Sequence, residues 1–313
     1  MRQMFLRRTA LAVLLMLAAT ALTFALVTAA PGNVAALIAE RAAGAGADGE
    51  MIARIANDLG LNDPLPVRYA RWLGDALTGD FGVSLRSGKP MSVEFADRVP
   101  VTALLLLGGG VLALALSLVL GILGAMSNGG PVDRVLHGLE LVGASTPNFF
   151  VAAVLVIVFA VTLGWLPSFG TGGAAAWLLP WVTIALFPAS VLARVVRVNL
   201  QEAMSRPFAT TGFAKGLTRG QVLLREALPN IAIPFMTTFG AQFTLMIIGA
   251  IVVERVFGLN GIGAFFIEAI RFRDFVGMQA VLTLFVVFFV SINLLVDLLA
   301  MLADPRLRRA RRA

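Results

Sequence analysis

The stretch NLQEAMSRPFATTGFAKGLTRGQVLLREALPNIAIP, residues 199–234, is a long polar and basic segment set between two strongly apolar runs. Its composition predicts two short helices that meet at a sharp turn. Ser205 together with Pro207 favours the start of the first helix, because proline is suited to a first helical turn. Gly216 lies where a residue in the left-handed conformation would end that helix.

The second predicted helix begins at Thr218. Gln221 follows three residues later, and this spacing is typical of a capping box. We expect the helix to run from about residue 219 to 228, where Pro229 interrupts it. We call residues 199–230 the elbow.

The elbow is basic, and two interpretations of it remain open. A capped helical hairpin with exposed cations can dock into an acidic or cleft-bearing soluble partner. The same pattern also occurs in solvated connecting loops that bind nothing. The cations concerned are Arg206, Lys215, Arg219 and Arg225.

The composition of the whole chain places it in a membrane. Of its 313 residues 58% are hydrophobic and only 14% are charged, and the mean hydropathy is +0.88. Such a chain uses lipid as its solvent. With no cysteine and one histidine, it offers no disulfide, no thiolate metal site and little for imidazole chemistry.

We predict an all-α membrane protein with six transmembrane helices. Each predicted span is an apolar run long enough to cross a hydrocarbon core of about 30 Å. The spans cover residues 9–30, 100–126, 138–164, 176–196, 231–252 and 276–302.

These spans divide the chain into four parts. Residues 1–31 hold the N-terminus and the first span, and residues 32–99 form a small extracytoplasmic subdomain of short amphipathic helices. Residues 100–302 form a core of five helices that includes the elbow. Residues 303–313 are a basic tail.

The third span carries polar residues beside a proline, Pro147. Polar groups at membrane depth are satisfied by neighbouring helices or by a watery cavity. Ser145, Thr146 and Asn148 are therefore candidates either for lining a pathway or for packing between helices.

Charge predicts the orientation of the spans. With both termini on one side, 15 of the 25 lysines and arginines share that side with the elbow. The other side has 10, offset by 12 acidic residues. Because basic residues stay inside, we expect both termini and the elbow in the cytoplasm. The net charge of +7 is then a topology and lipid signal, and needs no nucleic acid to explain it.

The motifs exclude several classes of function. No G-x-x-x-x-G-K-[ST] loop is present, so the chain has no evident means of hydrolysing ATP. The residues around Ser145 lack the G-x-S-x-G pattern of a serine hydrolase. A secondary transporter needs ionisable residues at mid-membrane, and the candidates are few. Glu140 and Asp297 lie near predicted helix ends, where pairing with Arg194 or Arg197 is the usual explanation.

The elbow also resembles a known family. Ala214-Lys215-Gly216-Leu217 followed by Leu228-Pro229 is similar to the cytoplasmic loop of ABC importer permeases, in which a glycine precedes a Leu-Pro pair by this spacing. The family's Glu-Ala-Ala position falls here on Thr210-Thr211-Gly212, which puts the usual docking contact in doubt at these three residues.

Further segments resemble the dipeptide, oligopeptide and nickel branch of that superfamily, and they occur in order along nearly the whole chain. They are LGLNDPLPVRYARWLGDALTGDFGVSL at 59–85, VGASTPNFF at 142–150, LGWLPSFG at 163–170, VVERVFGLNGIGAFFIEAIRFRDF at 252–275 and INLLVDLLAMLADPRLR at 292–308.

The resemblance implies a type I importer permease in a bacterial inner membrane. It implies a second, homologous permease subunit, two cytoplasmic ATPases that bind ATP and Mg²⁺, and an extracytoplasmic solute-binding protein. This chain itself would bind no cofactor or metal and catalyse no reaction. The solute implied is a dipeptide, an oligopeptide, a nickel complex or a related small molecule. The alternative is a secondary transporter or channel that works without an ATPase. The resemblance assigns ATPase coupling to the elbow residues Ser205, Pro207, Ala214, Lys215, Gly216, Leu217, Thr218, Arg219, Leu228 and Pro229.

Overall fold

The computed structural model describes residues 2–30, 34–43, 48–127 and 129–303, and this part of the chain is almost entirely helical. Fourteen α-helices are found in it, and two of them continue as short π-helical segments. The helices are α1 (Arg2–Ala29), α2 (Val34–Ala43), α3 (Gly49–Asp58), α4 (Leu65–Leu77), α5 (Met91–Ser127), α6 (Pro131–Ser145), α7 (Asn148–Leu155), α8 (Ala175–Met204), α9 (Pro207–Ala214), α10 (Arg219–Val222), α11 (Leu228–Asn230), α12 (Ala232–Val256), α13 (Ile262–Arg271) and α14 (Phe275–Ala303).

Five helices are long and apolar enough to cross a membrane: α1, α5, α8, α12 and α14. A sixth crossing is made only if α6 and α7, which continues as a π-helix over Val156–Thr162, are counted as one span. Five of the six predicted spans are therefore found as long helices, and the third corresponds to the bent pair α6 and α7.

The third span is broken at Thr146 and Pro147, so its prediction as one run over 138–164 was wrong. The two halves meet at an angle of 109°. Proline disfavours the helical conformation in the residue before it, and Thr146 is extended, with φ −91° and ψ 125°. Pro147 then starts the new helix.

Helices α5 and α8 are among those that extend beyond their predicted bounds. Helix α5 begins at Met91 and continues through Pro100, so it crosses the boundary placed at residue 99. Helix α8 contains Pro180 and Pro188 and continues to Met204, so the first residues of the elbow belong to it. Hydropathy predicts where the apolar part of a helix lies, but it does not predict how far the helix continues into polar residues.

Small residues on α5 allow α8 and α12 to approach closely. A Cβ added to Gly108 would lie 2.2 Å from the Trp181 ring, and one on Gly109 would lie 2.3 Å from Ile184. About three turns further along α5, a Cβ on Gly121 would lie 2.6 Å from Val196. The glycine cluster therefore serves helix packing, as its composition predicts.

A buried ion cluster joins α6 to α8. Arg197 lies 3.0 Å from Glu140 and 3.4 Å from Asp133, and it contacts His137 Nδ1 at 2.9 Å. The Glu140 side chain is only 2% exposed. The predicted pairing of Glu140 is thus confirmed, with Arg197 as its partner, whereas Arg194 is exposed. The side chain of Asp297 lies outside the described residues.

Two carboxylates fix the opposite end of the bundle. Glu254 on α12 accepts hydrogen bonds from Thr102 Oγ1 on α5 at 2.7 Å and from the Ala264 N–H on α13 at 2.8 Å. Asp274 caps α14 through the Gly277 N–H at 2.9 Å. It also accepts hydrogen bonds from the loop after α4, which holds helices α2–α4 near the membrane helices.

The loop contacts of Asp274 come from consecutive residues. The hydroxyl of Ser84 and the backbone N–H groups of Leu85 and Arg86 donate to its carboxylate. Arg86 also forms an ion pair with Glu268 on α13. The loop is therefore held by several polar contacts rather than by apolar packing alone.

We predict that Glu140→Ala destabilises the protein strongly. Removing one partner of a buried ion pair typically costs about 3–5 kcal/mol because the remaining charge is left without compensation. The thermal midpoint of the detergent-solubilised protein measures the effect. Glu202→Ala is the matched control, since Glu202 pairs with Arg206 at 2.7 Å with both side chains 61% exposed, and such pairs contribute about 0–1 kcal/mol. Equal midpoints for the two variants would contradict the structural role of Arg197 and Glu140.

Candidate functional site

The first helix of the elbow, α9, begins at Pro207 and ends in a left-handed turn. Lys215 is its C-cap, and Gly216 follows with φ +83°. The Leu217 N–H donates to the Gly212 carbonyl at 3.2 Å, and the Gly216 N–H donates to the Phe213 carbonyl at 2.9 Å. This pair of bonds is a Schellman motif.

The start of α9 differs from the prediction in one respect. Ser205 does not cap it: the N-cap is Arg206, in an extended conformation and without a side-chain cap. Ser205 instead ends α8, and its hydroxyl donates to the Glu202 carbonyl at 2.7 Å. Pro207 alone gives the signal for the start of the helix.

The capping box predicted at Thr218 is present. The Gln221 N–H donates to Thr218 Oγ1 at 3.4 Å, and the Thr218 N–H donates to Gln221 Oε1 at 2.9 Å. The chain therefore leaves one capped helix end and enters another within the three residues from Gly216 to Thr218.

The sequence predicts that Pro229 interrupts the second helix, and this prediction is wrong. After α10 the chain forms a π-helical segment over Leu223–Ala227, and α11 then continues to Asn230. Pro229 lies in the first turn of α11, where a missing N–H costs little. The helical run is thus longer than predicted by two residues.

The inner face of the elbow is buried against the ends of α5 and α8. Leu223 and Ala227 are fully buried, together with Val196 and Leu200 of α8 and Ala125 of α5. Gly212 belongs to this face: a Cβ there would lie 3.0 Å from Val222 Cγ2. The glycine in place of the family's alanine therefore lets α9 and α10 approach each other closely.

The outer face of the elbow is exposed and carries both cations and apolar side chains. Lys215, Arg219 and Arg225 are exposed and form no ion pair with any described residue. Phe213 and Leu224 are 43% and 50% exposed. Sequence reasoning missed these apolar side chains as a feature, although apolar residues on the polar face of an amphipathic helix are the signal that would have found them.

The remaining exposed elbow residues lie on the same outer face, which combines hydroxyl, small and charged groups. They are Glu202, Ser205, Arg206, Pro207, Thr210, Thr211, Ala214, Gly216, Thr218, Gln221, Glu226, Pro229 and Asn230.

The candidate pathway residues lie at the break between α6 and α7. Ser145 is exposed, and the half-buried Thr146 donates from its hydroxyl to the Val142 carbonyl of its own helix at 2.6 Å. Asn148 lies against α12, where a Cβ on Gly249 would be 2.8 Å from its Nδ2. The contact of Asn148 favours helix packing over pathway lining for that residue.

Comparison with known proteins covers nearly the whole chain. The model of the family described as binding-protein-dependent transport system inner membrane component matches residues 117–309. A second model, for the N-terminal part of such membrane components, matches residues 1–106.

Curated relatives are similar over most of their length. A probable peptide ABC transporter permease of Sinorhizobium fredii is 37% identical, covering 91% of this chain and 92% of the relative. A putative peptide transport system permease of Brucella abortus is 35% identical, covering 98% and 99%. A glutathione transport system permease of Salmonella paratyphi A is 36% identical, covering 92% of both.

A solved structure gives the fold. An inward-facing form of the MetNI methionine ABC transporter superposes with a TM-score of 0.57 at 18% identity, covering 68% of this chain and 98% of that one. The family resemblance found in the sequence is confirmed. The chain belongs to the family of binding-protein-dependent transport system inner membrane components: it is a multi-pass permease subunit of an ABC importer, a class of protein that works with ATPase subunits and a solute-binding protein.

Proposed function

We propose that this chain forms half of a transport pathway for small peptides and that a second, homologous permease subunit forms the other half. We further propose that the ATPase subunits bind at the elbow and that their conformational change is transmitted to the spans there. The observation that carries the proposal is the short connection of the elbow to two spans. Two residues, Ser205 and Arg206, separate α9 from α8, and one residue, Ile231, separates α11 from α12.

Because these connections are so short, the elbow cannot move far without moving the two spans. Ile231 is 4% exposed and belongs to the same buried cluster as Leu223 and Ala227. A displacement of the elbow is therefore transmitted to α8 and α12 together. Rigid-body motion of packed elements is a common form of switching, and closure of the ATPase pair would tilt both spans through this contact.

The outer face of the elbow suits docking onto a protein. It places Phe213 and Leu224 among three cations, and interfaces commonly combine an apolar centre with a polar rim. The ATPases supply ATP and Mg²⁺ binding, and this chain binds neither. ATPase coupling is assigned to the outer face as a whole, including Thr210 and Thr211.

Peptides are favoured as the solute by the names of the relatives. Two of these relatives are described as peptide permeases and one as a glutathione permease. Peptides and glutathione share amide bonds and free carboxylates, which makes small peptides the proposed class in preference to a nickel complex. Ser145 and Thr146, at the break between α6 and α7, are proposed to line the pathway.

We propose the orientation with both termini and the elbow in the cytoplasm and helices α2–α4 on the outer face. The subunit would then consist of residues 1–31, the subdomain 32–99, the core 100–302 and the tail 303–313. The excess of arginine and lysine on the elbow side supports it.

The transport activity is tested in proteoliposomes that contain the chain, its partner subunits and the binding protein. We expect uptake of a labelled dipeptide or tripeptide that requires ATP and is unaffected by proton or sodium gradients. Uptake driven by a gradient without ATP would contradict the proposal.

The orientation is tested with reporter fusions. A reporter that is active only in the cytoplasm should be active after Ala313 and inactive when inserted near Gly46. A reporter that is active only after export should show the reverse pattern. Export of the C-terminal fusion would contradict the proposed topology.

The coupling role is tested at Gly216. A side chain in the left-handed conformation costs about 1–2 kcal/mol, so Gly216→Ala should change the backbone conformation of the turn and the orientation of the helices beside it. No steric clash is expected, because an added Cβ would meet no atom within 4 Å outside its chain neighbours. We expect hydrolysis stimulated by the loaded binding protein to fall severalfold, while insertion of the chain stays normal. Thr218→Ala should act in the same direction through loss of the cap, which contributes about 1 kcal/mol.

Gly220→Ala is the matched control for Gly216→Ala. Gly220 is helical, and a Cβ there would meet only Met126 Cε at 3.9 Å, so coupling should remain at the wild-type level. Wild-type coupling in Gly216→Ala would show that the elbow is a connecting loop.

A further inference from the structure

A cavity of about 750 Å³ lies between helices α2–α4 and the neighbouring ends of α1 and α14. Its volume falls within the about 300–1,000 Å³ that is usual for small-molecule sites. It is separate from the elbow, because it opens at the end of the bundle that carries the subdomain. One wall is the loop over residues 80–85, whose last two residues are bonded to Asp274.

The lower part of the cavity lies between the ends of two candidate membrane spans, α1 and α14. Phe24 is five residues from the end of α1, and Gln279 is four residues from the start of α14, which places both ~6–8 Å inside the helix ends. Phe24, Val27, Phe275 and Val276 make the lining apolar at this depth.

Two polar side chains, Thr28 and Gln279, interrupt this apolar region. Gln279 is 5% exposed, and neither its Nε2 nor its Oε1 has a hydrogen-bond partner among the described residues. A buried amide without a partner costs free energy. Gln279 also lines the cavity, so rotation of its buried amide toward the cavity would let a polar group on a bound molecule satisfy it.

The upper part of the cavity is charged and has no net charge. Arg68, Arg71, Asp75 and Asp80 line it. Arg71 forms an ion pair with Asp63 at 2.8 Å, and Asp80 accepts a hydrogen bond from the Gly82 N–H at 2.8 Å. Arg68 and Asp75 form no ion pair with a described residue, so a cation and an anion on α4 remain available to a ligand.

Trp72 completes the lining between these two parts. Tryptophan combines a large apolar ring with one N–H donor, and it is enriched at membrane interfaces for this reason. The cavity thus changes from apolar to charged at the depth where lipid headgroups meet their acyl chains.

We propose that this cavity binds one zwitterionic phospholipid from the leaflet on the subdomain side. Its phosphate lies near Arg68 and its ammonium near Asp75, the Gln279 amide donates to an ester carbonyl, and the acyl chains pass between α1 and α14. The balanced charges favour a zwitterionic over an anionic headgroup. A peptide fits less well, because in the apolar part only Thr28 and Gln279 could form hydrogen bonds with its several backbone N–H and C=O groups.

The test is native mass spectrometry of the full chain, purified with its partner subunits and titrated with palmitoyl-oleoyl phosphatidylethanolamine. We expect saturable binding of one lipid per chain that is weaker for phosphatidylglycerol and is not displaced by the dipeptide Ala-Phe. Equal binding of the two lipids, no retained lipid, or displacement by the dipeptide would overturn the proposal.

Two matched pairs of variants locate the lipid. Thr28→Trp fills the cavity from α1 and should weaken binding at least about tenfold, whereas Leu26→Trp, on the exposed side of the same helix, should bind as wild type. Gln279→Leu removes one hydrogen bond and should weaken binding about threefold to tenfold. Gln242→Leu changes another glutamine whose Oε1 is unpartnered, outside the cavity lining, and should have no effect.

Size-exclusion profiles confirm that each variant is folded. Equal lipid retention by Thr28→Trp and Leu26→Trp would overturn the assigned site. The assay measures no transport, so its failure would leave the proposed importer function standing.

Discussion

The carboxylate of Glu254 is the contact on which the arrangement of the bundle most depends. It lies at the end of α12, is fully buried, and accepts hydrogen bonds from Thr102 of α5 and from the start of α13. Thr102 Oγ1 in turn accepts from the Ile262 N–H at 2.9 Å. A buried carboxylate that loses its donors is strongly destabilising, so the three helices stay together at this end.

At the other end of the bundle, a buried cation holds helices together in the same way. Arg197 holds α6 to α8 through Glu140 and Asp133. Between the two polar clusters, the glycines of α5 let α8 approach closely, and the Trp181 Nε1–H of α8 donates to the Leu104 carbonyl of α5 at 3.0 Å. Lipid gives apolar side chains no reason to prefer one another over acyl chains, so close packing and satisfied polar groups decide which helices pair. Buried polar clusters consequently hold the helices together at both ends of the bundle, and close packing at glycines holds them in the middle.

This arrangement gives the elbow a firm base. Its buried side rests on α5 and α8, which pack closely through the glycines of α5, and the Arg197 cluster joins α6 to α8. Its exposed side carries the cations and the apolar pair Phe213 and Leu224. A rigid base and an accessible outer face are what a site needs if force applied there is to reach the spans. Glycine in place of the family's alanine at residue 212 is consistent with this arrangement. It lets α9 and α10 pack more closely and lies on the buried face of the elbow.

The sequence by itself determined the membrane class, the number of spans, the family and the capped turn of the elbow. These follow from hydropathy and from hydrogen bonds between residues close in sequence, such as the capping box of Thr218 with Gln221 and the backbone bond from Gly216 to Phe213. Only the tertiary structure decided the 109° break at Thr146 and Pro147, the helical path through Pro229, the partners of Glu254 and Asp274, and the cavity beside Gln279. The carboxylate partners and the cavity depend on which distant segment lies opposite, as with Thr102 and Glu254 or Ser84 and Asp274. Local pattern carries no information on that choice, because many polar side chains in the chain could satisfy the same carboxylate and packing selects one.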